Sequence, residues 1–581
     1  MRTSFIRLAG AAVTALALAG CAGTSGIIDR FGGQSSDELL QQAQQQQGAQ
    51  AASTRLQAAE ILQGQGNDAR ALEVARALDR SALGGAEKAR WALLTSRSAL
   101  AVNDAQTALE ATAILDGNIA LSDNDRNTLL ERRGLAQAMS DQPFEAAQTL
   151  IALQGNTGDP QLNDTIWRQL TRLDPNRLDQ LSTQGAIAAG WVALVQLQRQ
   201  QGANIGQLSD AISQWQSNNR RHPASRRLPT DLSALDEIRD QDIRKIAVLL
   251  PGSGPLESIA TAIREGIRAR ADDVTSQGNN TPELVFYDTQ GQDIEALYAR
   301  ATMEGAQAII GPLDKEQVSQ LETRSSVPLP TLALNYGTHE RNSASNLFQY
   351  GLSAEDEARQ AAQRARSDGH HRAGVMVPNN NWGSRVLSAF QHTWQQEGGD
   401  LVSIENYDPS ASVTSSVKSV LDSDRGRPDM LFLLALPSYA RQVPPTLDYY
   451  NAANLPVYAT SHAYEGSPQP RLDHDLDDVM FVDIPWLIPE AAAGGSDAVP
   501  FESTRQRLTQ DDQPDMIKLH AMGVDAFELA RRLPIMNAIG GFELYGATGR
   551  LAPGHDGRVV RTLPWAQFKN GQPMLPTDTR P

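Results

Sequence analysis

Residues 245–335 carry the pattern that most constrains how this chain can fold. Four short apolar runs, KIAVLLP, LVFYD, AQAIIGP and VPLPTLALN, alternate there with amphipathic stretches. Strands that alternate with helices of about ten to fifteen residues form βαβ units, which set parallel strands side by side in one sheet. We therefore expect an α/β domain of the kind that binds ligands.

The same alternation continues well beyond residue 335. Further strand candidates are HRAGVMVP, DLVSIENYD, DMLFLLAL and LPVYATS, each separated from the next by a helical pattern. A clear amphipathic helix follows at KLHAMGVDAFELARRLP, and residues 542–573 have hairpin character. Residues 489–515 between these parts are predicted to be an irregular insertion.

Loops that follow the predicted strands are the candidate ligand-binding positions, because ligands of open α/β sheets sit outside the carboxyl ends of the strands. The residues that we expect to line a cleft at this edge are Ser253, Asn335, Tyr336, Trp382 and Tyr464. The alternative is that these side chains only cap and pack the elements beside them.

Motifs for a cofactor or for catalysis are incomplete. The PGSG loop at 251–254 precedes a predicted helix, whose amides can hold an anion, but the dinucleotide fingerprint needs glycine where the chain has Glu257. Ser415 and Lys418 form an S-x-x-K sequence without its S-D-N and K-T-G companions. We predict that the chain is not an enzyme and that it has no catalytic residue, no cofactor and no metal site.

Residues 54–229 are predicted to be helical, since Ala, Leu, Gln and Arg prevail there and strand-like alternation is almost absent. Trp191 and Leu194 match the first half of a tetratricopeptide repeat, and Ala211, Trp215 and Pro223 match its second half. Trp91 and Leu94 repeat the first half. We interpret the region as a degenerate array of helix pairs, with an ordinary helical bundle as the alternative.

The amino terminus has the pattern of an exported lipoprotein. Arg2 and Arg7 precede an uncharged run at residues 8–20, which is typical of a secretory signal peptide. The sequence LAGC resembles the bacterial lipobox, and its Cys21 is the only cysteine among 581 residues. We expect acylation, including palmitate, at Cys21, with a buried free cysteine as the alternative. Since Ala22 and not aspartate follows, the lipobox rule implies the outer membrane, facing the periplasm.

These features predict five segments. They are a signal peptide at 1–20, an acylated cysteine with a flexible tether at 21–53, a helical domain at 54–229, a linker at 230–243 and an α/β domain at 244–581. Residues 37–47 in the tether could instead start a helix. The formal net charge of −17 and the pI near 5.1 disfavour a nucleic-acid partner, which needs a basic surface.

Residues 245–568 resemble the two-lobed type I periplasmic binding proteins, through KIAVLLPGSG, LVFYDTQG, AQAIIGPL, VPLPTLALN, LFQYGLSAEDEA and VMVPNNNWG. Together with Cys21, the helical array, DDVMFVDIPWL and LPWAQFKNGQP, the chain resembles the penicillin-binding protein activator family of outer-membrane lipoproteins. That resemblance implies a regulator that binds a class A bifunctional penicillin-binding protein and stimulates peptidoglycan synthesis. The alternative is a lipid-anchored receptor that binds an amino acid or a cell-wall fragment in the cleft between the lobes.

Overall fold

The structure, a computed structural model, describes residues 34–576 except 174, 202–204, 239–240, 340, 493–498, 510–515, 539–541 and 555. The predicted signal peptide and Cys21 lie outside the described residues. The chain divides into two compact units, the first ending at Leu162 and the second beginning at Asn163.

The described part of the first unit is helical. Its helices are Ser36–Gln44, Gly48–Gly64, Asp68–Arg76, Gly85–Ala101, Ala105–Thr112, Asp123–Met139 and Pro143–Thr157. Helix Ser36–Gln44 covers most of residues 37–47, which the sequence analysis assigned either to the tether or to the start of a helix. It begins at a capping box in which the Glu38 amide donates to Ser35 Oγ and the Ser35 amide donates to the Glu38 carboxylate.

A helix-pair repeat organises this unit. Three helices of 17 residues begin at Gly48, Gly85 and Asp123, a spacing of 37 and 38 residues, and each is followed by a second helix. Consecutive helices pack together, and the three long helices also pack on one another. The Trp91 indole N–H donates to the Ala75 carbonyl oxygen at 3.1 Å and so joins one pair to the preceding pair. The predicted array of helix pairs is confirmed.

Helices also open the second unit, at Asn163–Leu170, Pro175–Ser182, Ala186–Gln201, Ile205–Asn218, Pro223–Arg226 and Thr230–Ser233. Trp191 and Trp215, which the repeat pattern singled out, both meet the His222 ring edge-on, with centroids 5.3 and 5.0 Å away. Arg550 donates to the Arg172 carbonyl oxygen at 2.8 Å, a direct bond between these helices and the α/β part of the same unit.

The first lobe of the α/β part is a parallel sheet in the order β2-β1-β3-β4-β5. Its strands are β1 Lys245–Leu250, β2 Glu283–Asp288, β3 Ala308–Ile310, β4 Ser326–Ala333 and β5 Ser345–Gln349. Helices Glu257–Ser276, Ile294–Met303 and Lys315–Glu322 connect the first four strands. The four predicted apolar runs are therefore strands, and the predicted βαβ arrangement is confirmed.

The second lobe is a sheet in the order β15-β14-β10-β9-β8-β6-β7. Its strands are β6 Arg372–Pro378, β7 Asp400–Tyr407, β8 Met430–Leu433, β9 Val457–Ala459, β10 Met480–Val482, β14 Trp565–Lys569 and β15 Gln572–Met574. Strands β6 to β10 are parallel, whereas β14 and β15 are antiparallel additions at one edge. Helices Ala354–Ser367, Asn381–Gln396, Val413–Leu421, Pro437–Ala440 and Val443–Tyr449 accompany this sheet.

The chain passes between the lobes three times. It first crosses from β5 to helix Ala354–Ser367, and it returns after β10 through Ile517–Ala530, here called the crossover helix, which packs on Glu257–Ser276. The third passage runs through a small antiparallel sheet of β11 Leu544–Gly546, β12 Gly549–Pro553 and β13 Val559–Thr562 into β14. The predicted insertion at 489–515 contains helices Pro489–Ala492 and Glu502–Leu508, so its described parts are not irregular.

Candidate functional site

The PGSG loop at residues 251–254 is bonded to Asp288, the last residue of β2 in the first lobe. Ser253 is exposed, as a cleft residue would be. The Gly252 amide, however, donates to the Asp288 carboxylate at 2.7 Å, and that carboxylate also accepts the Gln290 amide at 2.9 Å. One amide of this loop is therefore already bonded to a carboxylate of the chain itself.

Asn335 and Tyr336 lie at the carboxyl end of β4, half-buried. The Asn335 side-chain amide donates to the Leu313 carbonyl oxygen at 3.0 Å, so Asn335 ties two loops of the first lobe together. The Tyr336 hydroxyl reaches the second lobe, 3.3 Å from Asp356 Oδ2 in the first turn of helix Ala354–Ser367. Tyr336 therefore contacts both lobes, and its role as a cleft residue stays a prediction.

Trp382 is half-buried and packs edge-on against the His462 ring, with centroids 4.9 Å apart. Tyr464 is different: only 5% of it is exposed, and it packs in the core of the second lobe against Phe481 and Phe568. The expectation that Tyr464 lines the cleft conflicts with this placement, because the chain turns inward after His462.

A polar cluster that the sequence did not single out lies beside Trp382. Ser461 follows β9, Asp483 follows β10, and Glu357 lies in the first turn of helix Ala354–Ser367. The Ser461 amide and hydroxyl donate to the Glu357 carboxylate at 2.9 and 3.2 Å. Lys518 enters this cluster from the crossover helix, with its Nζ 2.9 Å from Ser461 Oγ and 3.1 Å from Asp483 Oδ1. We call Glu357, Ser461, Asp483 and Lys518 the ammonium cluster.

Burial and charge compete in the ammonium cluster. Burial raises the pKa of Glu357, but His462, Arg561 and Lys518 outweigh burial and hold that pKa below its ordinary value. Burial raises the pKa of Asp483 to about 6, and the Lys518 ammonium opposes this rise only in part. Arg561 Nη2 lies 3.2 Å from Glu357 Oε1 and is itself 2% exposed. At neutral pH the two buried carboxylates of the cluster therefore face two cations, Lys518 within the cluster and Arg561 beside it.

A second buried network joins all three passages between the lobes. Tyr350 follows β5, Asp525 lies on the crossover helix and Thr548 lies in the turn between β11 and β12. The Tyr350 hydroxyl is 2.7 Å from Thr548 Oγ1, which donates to Asp525 Oδ2 at 2.6 Å. The same carboxylate accepts the backbone amides of Ala547 and Thr548, both at 2.7 Å. Since all three side chains are fully buried, these bonds hold the passages in one arrangement.

Sequence reasoning could have found part of the ammonium cluster. Ser461 and Asp483 come directly after strands, so the rule that selected Asn335 would also select them. Glu357 and Lys518 begin helices that lie elsewhere in the sequence, and no local pattern connects them to those strands. Only the packing of the crossover helix brings Lys518 to this edge.

A shallow depression of about 250 Å³ lies at the other edge of the second lobe. Arg427, Asp429 and Leu455 are among its lining residues, and they precede strands β8 and β9. It is therefore separate from the edge where the ammonium cluster lies. Among the described residues, no three His, Cys, Asp or Glu side chains are grouped so that they could hold a metal ion.

The two parallel-stranded lobes, the three passages and the polar groups at the strand ends define a type I periplasmic-binding-protein-like domain, here preceded by a helical repeat array. The family model described as "LppC putative lipoprotein" matches residues 32–571. The chain belongs to this LppC family.

Relatives and a solved structure agree over most of the chain. The penicillin-binding protein activator LpoA of Glaesserella parasuis is 30% identical over 70% of this chain and 68% of its own length. The protein of that name from Photobacterium profundum is 26% identical over 98% and 97%. The crystal structure of full-length LpoA from Haemophilus influenzae matches with a TM-score of 0.52 and 25% identity, covering 93% of this chain and 98% of that one. Within the described residues, no helix is both long and apolar enough to cross a membrane.

Proposed function

We propose that this chain is an outer-membrane lipoprotein that binds a class A bifunctional penicillin-binding protein from the periplasmic side and activates it. The observation that carries the proposal is the end-to-end similarity to relatives named penicillin-binding protein activator LpoA, which covers 97% of one of them. In this proposal the chain catalyses no reaction itself. It shifts the synthase toward its active state by binding that state more tightly.

The architecture supports such a role. The buried bonds of Tyr350, Asp525 and Thr548 fix the arrangement of the two lobes, so the α/β part presents a surface of constant shape to a protein partner. A partner that binds a preformed surface does not need to order it, which lowers the cost of association. The helix-pair array offers a second extended surface of the kind that repeat proteins use for binding.

Binding and activation are tested with the full chain carrying Cys21→Ala, which removes the proposed acylation site. We expect this chain to co-purify with a class A penicillin-binding protein and to increase its rate of glycan polymerisation or peptide crosslinking. A monofunctional transpeptidase serves as the specificity control and should remain unaffected. Neither binding nor a rate change with the class A enzyme would refute the proposal.

Anchoring is tested in cells. We expect labelled palmitate to be incorporated into the wild-type chain, which should fractionate with the outer membrane, whereas Cys21→Ala should be unlabelled and released into the periplasm. Acylation raises membrane affinity by about 0.8 kcal/mol for each buried methylene, so its loss should be decisive. Label retained on Cys21→Ala would place the anchor elsewhere.

A further inference from the structure

The ammonium cluster lies where proteins with an open α/β sheet bind their ligands. Strands β9 and β10 are parallel neighbours, so Ser461 and Asp483, which follow them, lie at the same edge of the sheet. Glu357 faces Ser461 from the first turn of its helix, and Ser461 Oγ both donates to Glu357 and accepts from Lys518. The Ser461 hydroxyl and the Asp483 carboxylate thus form an acceptor pair for an ammonium group, and Glu357 holds the hydroxyl from behind.

Lys518 occupies this acceptor pair from within the chain. Its stem comes from the crossover helix, whereas Ser461, Asp483 and Glu357 belong to the second lobe. Asp483 is fully buried, and its Oδ2 accepts no hydrogen bond from the residues that the structure describes. The site therefore contains a buried carboxylate oxygen that Lys518 leaves without a hydrogen bond.

The position of Lys518 on the crossover helix gives independent evidence that its acceptors, and not the helix itself, stabilise the ammonium group. Lys518 is the second residue of Ile517–Ala530, and no acidic residue lies in the first turn. A cation there faces the positive end of the helix dipole, which disfavours it. The carboxylate of Asp483, 3.1 Å away, is what compensates for this position.

We propose that Ser461 and Asp483 form a binding site for a primary ammonium group, with Glu357 orienting the Ser461 hydroxyl, and that Lys518 is its built-in occupant. Because Lys518 fills the site, it links the crossover helix to the second lobe. A free amine therefore does not bind there in the wild-type chain. The class of ligand that the site takes, once Lys518 is removed, is a short primary alkylamine. This inference stands independently of any synthase partner.

The test vacates the site and refills it with a small molecule. Lys518→Ala removes three carbons and the ammonium group, so n-propylammonium matches the missing part. We expect this variant to melt at least about 5 °C below wild type, because it leaves the fully buried Asp483 carboxylate without its cation. Millimolar n-propylammonium should restore most of the melting temperature in a saturable manner.

Three comparisons separate site binding from general salt effects. Tetramethylammonium at equal ionic strength has no N–H donor and should not restore Lys518→Ala. Lys518→Met keeps the site filled without a charge and should not respond to n-propylammonium, and wild type should not respond either. Equal responses of all three chains, or no response of Lys518→Ala, would refute the proposal.

If Lys518→Ala does not fold in sodium chloride, the same salts are compared during refolding. Recovery of the folded chain in n-propylammonium alone would support the site, and failure in both salts would contradict it. Loss of synthase activation is not a readout in these experiments, so their outcome is distinct from that of the activator proposal.

Discussion

Gly266 and Gly523 face each other where helix Glu257–Ser276 meets the crossover helix. A Cβ on Gly523 would lie 2.1 Å from the Ile263 carbonyl oxygen, and one on Gly266 would lie 2.1 Å from the His520 carbonyl oxygen. Both obstacles are backbone atoms, which cannot rotate away. The two helices therefore approach more closely than any residue larger than glycine permits.

Gly523→Ala should destabilise the second unit by about 3 kcal/mol or more, since overpacking usually costs about 1–3 kcal/mol even where side chains can yield. Denaturant unfolding followed by circular dichroism measures the change. The matched control is Gly155→Ala in helix Pro143–Thr157, where an added Cβ has no neighbour within 4 Å. That control should be neutral or stabilising by up to about 1 kcal/mol. Equal effects of both changes would contradict the close crossing.

Asp525 should make the second unit less stable as pH rises from about 4 to about 6. Burial outweighs the hydrogen bonds from Thr548 and Ala547 and raises the pKa of Asp525 from 3.8 to about 6. In that pH range the folded chain keeps a proton that the unfolded chain has released, so stability falls with pH by about 3 kcal/mol. Asp525→Asn should lack this component. The measurement is the difference in free energy of unfolding between the two chains across the range.

Tyr350→Phe is the control for Asp525, because it removes a hydroxyl from the same network and keeps the carboxyl group. We expect it to cost about 1 kcal/mol at every pH and to retain the wild-type slope. A slope that disappears in Tyr350→Phe, or persists in Asp525→Asn, would assign the titration to another group.

The ionised side chain of Glu528 should continue to stabilise the folded second unit under mildly acidic conditions. It is fully buried on the crossover helix, 2.7 Å from Arg270 and bonded to Arg532. Burial raises the pKa of Glu528, but these arginines and Arg531 outweigh burial and lower it strongly. Its contribution is therefore complete above the unfolded pKa near 4.5 and is lost as pH falls toward the lowered folded value.

Glu528→Gln should cost about 3–5 kcal/mol at neutral pH, because it leaves the arginines buried without their carboxylate. Glu502→Gln, which disturbs the more exposed pair of Glu502 with Arg505, should cost no more than about 1 kcal/mol. Chemical denaturation at pH 7 and pH 3.5 compares them. The two variants behaving alike at pH 7 would argue against a buried charge cluster.

The contribution of His222 to the free energy of unfolding of the second unit should decrease as pH falls below about 6.5. Burial lowers the pKa of His222, and the hydrogen bond to Ile187 opposes this only in part. The ring accepts the Ala224 amide at Nδ1 and lies 3.0 Å from the Ile187 carbonyl oxygen at Nε2, so the neutral form fits both partners. The difference in unfolding free energy between wild type and His222→Gln should shrink from pH 7 to pH 5; a constant difference would contradict this.

The sequence predicted most of the α/β fold because strands and helices there are local patterns. Each of the runs from KIAVLLP to LPVYATS contains a strand, and within each lobe the loops after the parallel strands lie at the same edge of the sheet. Asn335 and Tyr336 follow from that rule, whereas Tyr464 shows its limit, since the direction of a side chain two residues into a loop depends on tertiary packing. Lys518 was beyond reach for the same reason, because it lies 35 positions after Asp483 in the chain, beyond the insertion at 489–515.

The bonds of Tyr350 have a consequence for the order of folding. They join residues 175 and 198 positions apart in the chain, and closing such long loops costs conformational entropy. The first lobe's sheet is complete by β5, and the second lobe's five parallel strands by β10, yet Thr548 arrives only after both. A chain truncated before residue 548 would keep the parallel strands of both lobes, but it would lack strands β14 and β15 and the Tyr350–Thr548 bond, so its lobes would be joined through the crossover helix without this bond.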